Sequence, residues 1–375
     1  MGESVAIIGT RGYPSYYGGF ETAVRKLAPY LADRGWDVVV YGRPGVKSDD
    51  PHRDRRVRVI ETRGIENKSL STLSFGLTSC LHAMWVRPNV ALIMNVANGF
   101  WLPLLTLRGI PTVVNVDGIE WERAKWGRLA KTIFRLGAWM TARFGTVLVA
   151  DSIEIQRRWR SEFSRESVYI PYGGEALTSA DPVEEPLRRR GYVLMVARFV
   201  PENTVPEFLE AAKRLAADYD VVIVGSAGYG GTLDEAARSL AEEFSTVHWL
   251  GHVSDDGRLL NLWKHCGAYF HGHSVGGTNP ALVQAMANGA PIVARDTVYN
   301  REVLAGAGEF CSPNPEAIEQ AIRRVMDSDV LQENLSAAAK ARLREGYTWE
   351  SVCSTYETAI RGQVQPADAS GSLVS

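Results

Sequence analysis

Short apolar runs of strand length alternate with helix-length amphipathic stretches along almost the whole of this 375-residue chain, and few architectures tolerate such a pattern. In the first half the runs fall at 5–9, 38–41, 57–60, 90–94, 112–116 and 146–150. Each is apolar throughout rather than at every second position, so each must be covered on both faces. Between them lie helical stripes. In the stretch 20–31, Phe20, Val24, Leu27 and Leu31 share one face, and Gly35 ends the helix before the next strand. Strand and helix in strict alternation predict an α/β fold in which a parallel sheet is wrapped by helices on both sides.

The pattern breaks once. Between 171 and 190 a polar segment carries Gly173-Gly174, Asp181-Pro182 and Glu184-Glu185-Pro186, the composition of an interdomain linker. A second series then begins, with strands expected at 192–197, 221–225, 247–250, 268–271 and 291–294 and helices at 206–216 and 279–287. A length of 375 residues also exceeds what one core usually organises. Two doubly wound, Rossmann-like domains facing across a cleft follow, at 1–175 and 176–347. A helix at 348–362 can cross back to the first domain, and 363–375 is small, polar and expected to be disordered.

Composition narrows the partners. With 41 basic and 43 acidic residues the chain carries a formal charge of −2, without the basic excess of a nucleic-acid binder. The start, Met1-Gly2-Glu3-Ser4, shows no basic, apolar and small-residue succession of a leader peptide, and no apolar run is long enough to span a bilayer, so a cytoplasmic location is expected. Cys80, Cys266, Cys311 and Cys353 are far apart and read as buried thiols in a reducing compartment.

In open parallel sheets ligands bind beyond the carboxyl ends of the strands, so the turns there are the places to search for chemistry. The first, from Gly9 to Gly19, leaves strand one and ends at a helix start; its glycines let backbone N–H groups approach a phosphate or a sugar. A plain strand-to-helix turn is the alternative. The second runs from His271 through Gly276, Gly277, Thr278 and Asn279 to Pro280. Asn279 or Thr278 is placed to cap the helix, with Pro280 in its first turn, and free N–H groups at 276–279 suit a diphosphate. The third element is Arg198, at the end of the first strand of the second domain, where a guanidinium can neutralise a leaving diphosphate or merely sit in a surface ion pair.

Taken together these residues resemble the retaining glycosyltransferase family 4, with the GT-B fold, over positions 4–360. Gly18-Gly19 with Glu21, Arg198, and the helix 279–288 followed by Gly289-Ala290-Pro291 carry the resemblance. The runs 9–14, 17–22, 115–121 and 271–280 are similar to a rhamnosyltransferase subgroup that builds capsule and cell-wall polysaccharides. The resemblance implies a dTDP- or UDP-sugar donor, specifically dTDP-L-rhamnose, and a saccharide or lipid-linked saccharide acceptor. It also implies donor contacts from Gly18, Gly19, Arg198, Asn203, Gly276, Gly277, Thr278, Asn279 and Gln284, and acceptor contacts from Tyr17, Glu21, Glu120 and Arg123. Asp117 stands where many members have a histidine near the reacting sugar, and with Arg198 it is the catalytic candidate; capping the segment 118–123 is its other reading. No metal or other cofactor is called for, because an arginine and a helix dipole can replace a divalent ion.

The chain departs from the family where two glutamates are replaced by Gly276 and Gln284, and a lysine by Asn203. Gln284 can still bond a ribose, but Arg198 must carry more of the diphosphate charge. These losses keep two other readings open: a nucleotide-sugar epimerase or hydrolase on the same fold, and a silent nucleotide-sugar sensor. Finally, the stretch 123–144 interleaves Arg123, Lys125, Arg128, Lys131, Arg135 and Arg143 with Trp126, Ile133, Phe134, Trp139 and Met140. It suits either a helix resting on anionic lipid at the inner face of the plasma membrane, or a surface helix with a core stripe at Leu129, Ile133, Leu136 and Met140.

Overall fold

A computed structural model describes residues 2–16, 18–45, 50–51, 53–66, 71–123, 126–178, 182–228 and 230–364. By its internal packing the chain divides into two units, one of residues 1–171 with 350–375 and one of residues 172–349. Each is an all-parallel sheet wrapped by helices, the α/β architecture that the alternating pattern predicts.

In the first unit the apolar runs become β1 (Ser4–Ile8), β2 (Asp37–Gly42), β3 (Arg58–Glu61), β4 (Val90–Met94), β5 (Thr112–Asn115) and β6 (Val147–Ala150). A two-residue edge strand, β7 (Val168–Tyr169), was not anticipated; two residues carry too little pattern to read. The helices are α1 (Gly19–Asp33), α2 (Ser71–Val86), α3 (Leu102–Leu107), α4 (Arg128–Phe144) and α5 (Ile153–Phe163). The sheet order is β3-β2-β1-β4-β5-β6-β7, so the winding reverses between β1 and β4. That reversal opens the crevice in which such sheets bind ligands.

The second unit repeats the scheme with β8 (Tyr192–Val196), α6 (Val205–Leu215), β9 (Asp220–Val224), α7 (Thr232–Glu243), β10 (Val247–Gly251), α8 (Asp256–His265), β11 (Ala268–His271), α9 (Pro280–Ala287), β12 (Ile292–Arg295), α10 (Val298–Leu304), β13 (Glu309–Cys311), α11 (Pro315–Met326) and α12 (Asp329–Arg344). Its order is β10-β9-β8-β11-β12-β13, reversing between β8 and β11. Alternate strand residues feed two cores. Val193, Met195, Val221, Ile223 and Phe270 pack with Phe208 and Leu215 of α6 and Ile318 and Ile322 of α11. Tyr192, Leu194, Val222, Tyr269 and Ile292 pack on the other face with Trp263 of α8, Leu282 and Met286 of α9 and Leu343 of α12. Each such fully buried side chain contributes about 2 kcal/mol, which is why these strands tolerate no polar alternation.

The last helix, α13 (Trp349–Arg361), belongs from Glu350 onward to the first unit. Glu357 pairs with Arg34 at 2.9 Å, and Tyr356, buried, accepts a hydrogen bond from Nδ2 of Asn115 at 2.7 Å. All four cysteines are buried free thiols. Among the described residues no helix is long and apolar enough to cross a membrane.

Helix α4 takes neither face that a core stripe at Leu129, Ile133, Leu136 and Met140 would require. Its buried residues are Gly137, Ala138 and Thr141. They lie against the turn at 96–101, where a Cβ on Gly137 would meet the Val96 carbonyl at 2.5 Å and one on Gly99 the Gly137 carbonyl at 2.2 Å. Small residues win the core side because the backbones nearly touch. Leu129 (76% exposed), Leu136 (50%) and Trp139 (55%) are left facing solvent.

Candidate active site

In the second unit the two ligand-facing turns meet at the reversal between β8 and β11. Beyond β8 the chain enters a tight turn in which Ala197 N–H donates to Val224 and Phe199 N–H to Ser226. Gly225, at φ +132°, lies so close that a Cβ would fall 1.8 Å from the Ala197 carbonyl oxygen. Only glycine permits that approach. The turn puts Arg198 in solvent, with no hydrogen bond or ion pair to its guanidinium among the described residues. Its carbonyl accepts from Nδ2 of Asn203 at 2.8 Å, and Asn203 is itself buried. Asn203 therefore shapes the arginine's turn, with one of its two amide N–H groups bonded there.

Beyond β11, Gly272 packs under that turn. A Cβ at 272 would lie 2.4 Å from the Asn203 carbonyl, and the Gly272 carbonyl accepts from Oγ1 of Thr204 at 2.6 Å. Ser274 donates twice to the Glu202 carbonyl, from N–H at 2.9 Å and from Oγ at 2.8 Å. The Arg198 turn and the 272–279 turn are thus one braced structure. Gly276 takes φ +96° and Thr278 is buried. Asn279, rather than Thr278, caps α9 by accepting from Ala281 N–H at 3.0 Å, and Pro280 opens the helix. The backbone N–H groups of Gly276, Gly277 and Asn279 make no hydrogen bond among the described residues, so three donors and a helix start lie in the same braced turn.

Gln284, one turn into α9, accepts from Glu175 N–H through Oε1 at 2.6 Å, and its Nε2 makes no hydrogen bond among the described residues. His271 supplies no charge. Its burial, and then the neighbouring His273 stacked at 4.4 Å, hold it well below the usual histidine range, with Nδ1 bonded to the Tyr269 hydroxyl at 3.0 Å. A residue missed in the sequence is Arg295, at the end of β12, whose guanidinium donates to Oγ1 of Thr204 at 3.0 Å. The signal that singled out Arg198, an arginine at a strand's carboxyl end, applied equally to it.

In the first unit the corresponding turns follow β1, β4 and β5. Gly9 (φ +101°) closes onto the end of β4, with the Met94 carbonyl 2.3 Å from where a Cβ would sit. Gly18 is the extended N-cap of α1, where its carbonyl accepts from Thr22 N–H at 3.0 Å, and Gly19 is the first helical residue. Glu21 is buried and folds back, accepting Arg11 N–H through Oε1 at 3.3 Å. Tyr17 lies outside the described residues.

Asp117 follows β5 in the left-handed region, φ 60°. Its N–H donates to Oδ1 of Asn115 at 2.9 Å and its Oδ2 accepts from Nδ2 of Asn95 at 3.0 Å. The short turn 120–122 is preceded by Ile119, which makes no side-chain cap. Glu120 and Arg123 form an ion pair at 2.7 Å, and Glu120 also accepts from the Trp126 indole at 2.7 Å. Thr10, Arg43, Thr62 and Ser79 line a small cavity of about 20 Å³ past β1 to β3, room for one water.

In each unit a parallel sheet reverses its winding once and carries strand-to-helix turns there, an arrangement that GT-B glycosyltransferases share. Residues 17–174 match the family model described as Glycosyltransferase Family 4, and residues 181–342 that of Glycosyl transferases group 1, so that each half of the chain carries a glycosyltransferase family match. Among curated relatives it is 30% identical to the phosphatidyl-myo-inositol mannosyltransferase of Mycobacterium leprae, over 60% of this chain and 61% of that one. It is 25% identical to the O-antigen chain mannosyltransferase B of Escherichia coli, over 44% of each. The chain thus spans about half the length of the curated relatives it matches. In fold it is similar to the sucrose-phosphate synthase of Thermosynechococcus elongatus, with a TM-score of 0.79 at 17% identity over 96% of this chain and 98% of that one. Anabaena HepE solved with UDP-glucose gives 0.77 at 14% identity over 96% and 100%.

Proposed function

We propose that the protein transfers a hexosyl group from a nucleoside diphosphate sugar to a saccharide acceptor, with retention at the anomeric carbon. The observation that carries this is Arg198, an exposed guanidinium with no partner among the described residues, in a turn braced to the one that presents the N–H groups of Gly276, Gly277 and Asn279. An anion the size of a diphosphate satisfies that set; a neutral ligand leaves the cation and the donors unanswered. Gln284 Nε2 takes a ribose hydroxyl, and by the family resemblance Gly18 and Gly19 serve the donor as well. In the reaction the anomeric carbon–oxygen bond to the diphosphate breaks, its electron pair staying on the phosphate oxygen, where Arg198 balances the charge. The acceptor hydroxyl oxygen bonds to the anomeric carbon on the face the diphosphate leaves, and its proton passes to the departing phosphate. Asp117 steadies the positive charge that develops on the sugar ring.

The donor we favour is dTDP-L-rhamnose and the acceptor a lipid-linked saccharide. Helix α4 supports the lipid: Leu129, Leu136 and Trp139 are exposed beside the exposed Arg128, Arg135 and Arg143, the pairing of apolar and cationic groups that holds a helix in an anionic interface. Tyr17, Glu21, Glu120 and Arg123 belong to the acceptor side, the last two acting as a pair. A second donor reading is mannose, because both curated relatives are mannosyltransferases.

The test is transfer measured with a panel of nucleotide sugars on the intact chain and on Arg198→Ala. Loss of about 2 to 4 kcal/mol in kcat/KM supports the assignment. Undiminished transfer by the variant would refute it. Hydrolysis without transfer would point to the hydrolase reading, and donor binding without any turnover to the sensor.

A further inference from the structure

The carboxyl ends of β8, β11 and β12 hold the donor turns, yet the amino ends of the same strands gather a second group of cations. A cavity of about 660 Å³ there is lined by Arg189, Arg190, Lys340 and Arg344, with Asp329 and Glu333 as its acids. Arg190 sits just before β8. Its N–H donates to His265 at 2.7 Å, and its guanidinium donates to the carbonyls of Cys266 (2.8 Å) and Gly289 (3.2 Å) and to Oγ of Ser336 (3.1 Å). All of these are neutral acceptors.

The other cations are no better balanced. Arg189, Lys340 and Arg344 are exposed and make no hydrogen bond or ion pair among the described residues. Lys340 lies across Gly289, where a Cβ would meet its Cε at 2.2 Å and Oγ of Ser336 at 2.8 Å, so its ammonium is held close to Arg190 and Ser336. Burial and then the surrounding Arg190, Arg189, Arg344 and Lys264 lower its proton affinity. Four cations against two acids leave a net repulsion that destabilises the fold holding them, and a multivalent anion removes it.

We infer that this cavity is a second ligand site, for a phosphate-bearing anion seated against Arg190, Ser336 and Lys340 and ringed by Arg189 and Arg344. Its volume suits a phosphorylated small molecule or a phospholipid headgroup, whose usual sites measure about 300 to 1,000 Å³. Two carboxylates against four cations leave the site positive. Nothing in it belongs to the donor turns, so it does not depend on the transferase reading.

The experiment uses the full chain and inorganic pyrophosphate, titrated by calorimetry into Arg198→Ala, in which the donor site is weakened. Binding is expected to persist there and to weaken at least ten-fold when Lys340→Gln and Arg344→Gln are added. In parallel, co-sedimentation with phosphatidylcholine vesicles containing phosphatidylglycerol is compared for the wild type and the Lys340→Gln/Arg344→Gln chain. Loss in the vesicle arm identifies a lipid headgroup, and loss in the pyrophosphate arm alone a soluble phosphate ester. Should the double variant misfold by circular dichroism, Arg189→Gln is read in the same two arms, with about a three-fold loss expected. Binding insensitive to these charges in both arms, or absent from both, overturns the inference.

Discussion

Nδ2 of Asn95 donates to Oδ2 of Asp117 at 3.0 Å across the carboxyl ends of adjacent strands, and both residues stand at positive φ, 73° and 60°. Two strained neighbours bonded to each other fix the direction of the carboxylate. Strain of about 1 to 3 kcal/mol at each persists only where surrounding structure enforces it, and it concentrates at functional sites. Asn115 continues the brace, accepting Asp117 N–H and donating to the buried Tyr356 of α13.

Asp117→Asn tests the carboxylate itself. We expect transfer to fall by about 10- to 100-fold in kcat, with thermal stability changed by less than about 1 kcal/mol, since an amide fills the same space. Unchanged kcat in a steady-state assay would remove Asp117 from the chemistry.

Tyr356→Phe strips a buried amide of its acceptor. The orphaned Asn115 Nδ2 should cost about 1 to 3 kcal/mol, read as a lower denaturation midpoint, while far-ultraviolet dichroism stays native. A variant as stable as the wild type would show that the link to α13 contributes nothing.

Gly272→Ala places a methyl 2.4 Å from the Asn203 carbonyl and must part the two donor turns. We expect a destabilisation of about 1 to 3 kcal/mol together with weaker donor binding. Isothermal titration with the donor sugar nucleotide checks the second effect. Donor affinity equal to the wild type would show that the two turns act independently.

Alkali should unfold the protein early. Burial pushes the thiols of Cys80, Cys266 and Cys353 up to about 12 and that of Cys311 to about 11, and raises Tyr41 to about 12. Unfolded thiols ionise near 8.5 and unfolded tyrosines near 10, so the unfolded chain releases these protons first. The associated stability is complete below about pH 8.5 and is lost as pH climbs towards the folded values. Melting temperatures taken from pH 8 to 11 should fall steadily, and a flat profile would contradict the burial.

Helix α4 offers a surface test. Leu136→Asp with Trp139→Asp should weaken binding to anionic vesicles and leave stability within about 1 kcal/mol, because both side chains are already half exposed. Equal co-sedimentation of variant and wild type would exclude α4 as the lipid-facing element.

Most of the framework was legible in the sequence because burial on both sheet faces demands unbroken apolar runs. The strands at 90–94 and 268–271 match to the residue, and others shift by one where a polar terminal residue such as Asp37 or Asp220 still pairs in the ladder. Short edge strands such as β7 and β13 carry too few residues for a period. Arg198 and the Asn279 cap were visible because strand ends and helix starts leave local signatures. Asn95, Arg295 and Tyr356 were not, since their partners lie 22, 91 and 241 positions away.

By itself, then, the sequence determined which segments become strands and helices and which turns lie at the carboxyl ends of the strands, because periodicity and capping act over a few neighbouring residues. The tertiary structure alone decided which polar side chains are spent inside the protein and which stay available. Asn115 is consumed by Tyr356 and Arg295 by Thr204, whereas Arg198 remains open to solvent. That division depends on where distant backbones come to rest, as when Gly137 lets α4 approach so closely that its leucines turn outward. No local pattern encodes such contacts, because their energy arises only once both partners are in place.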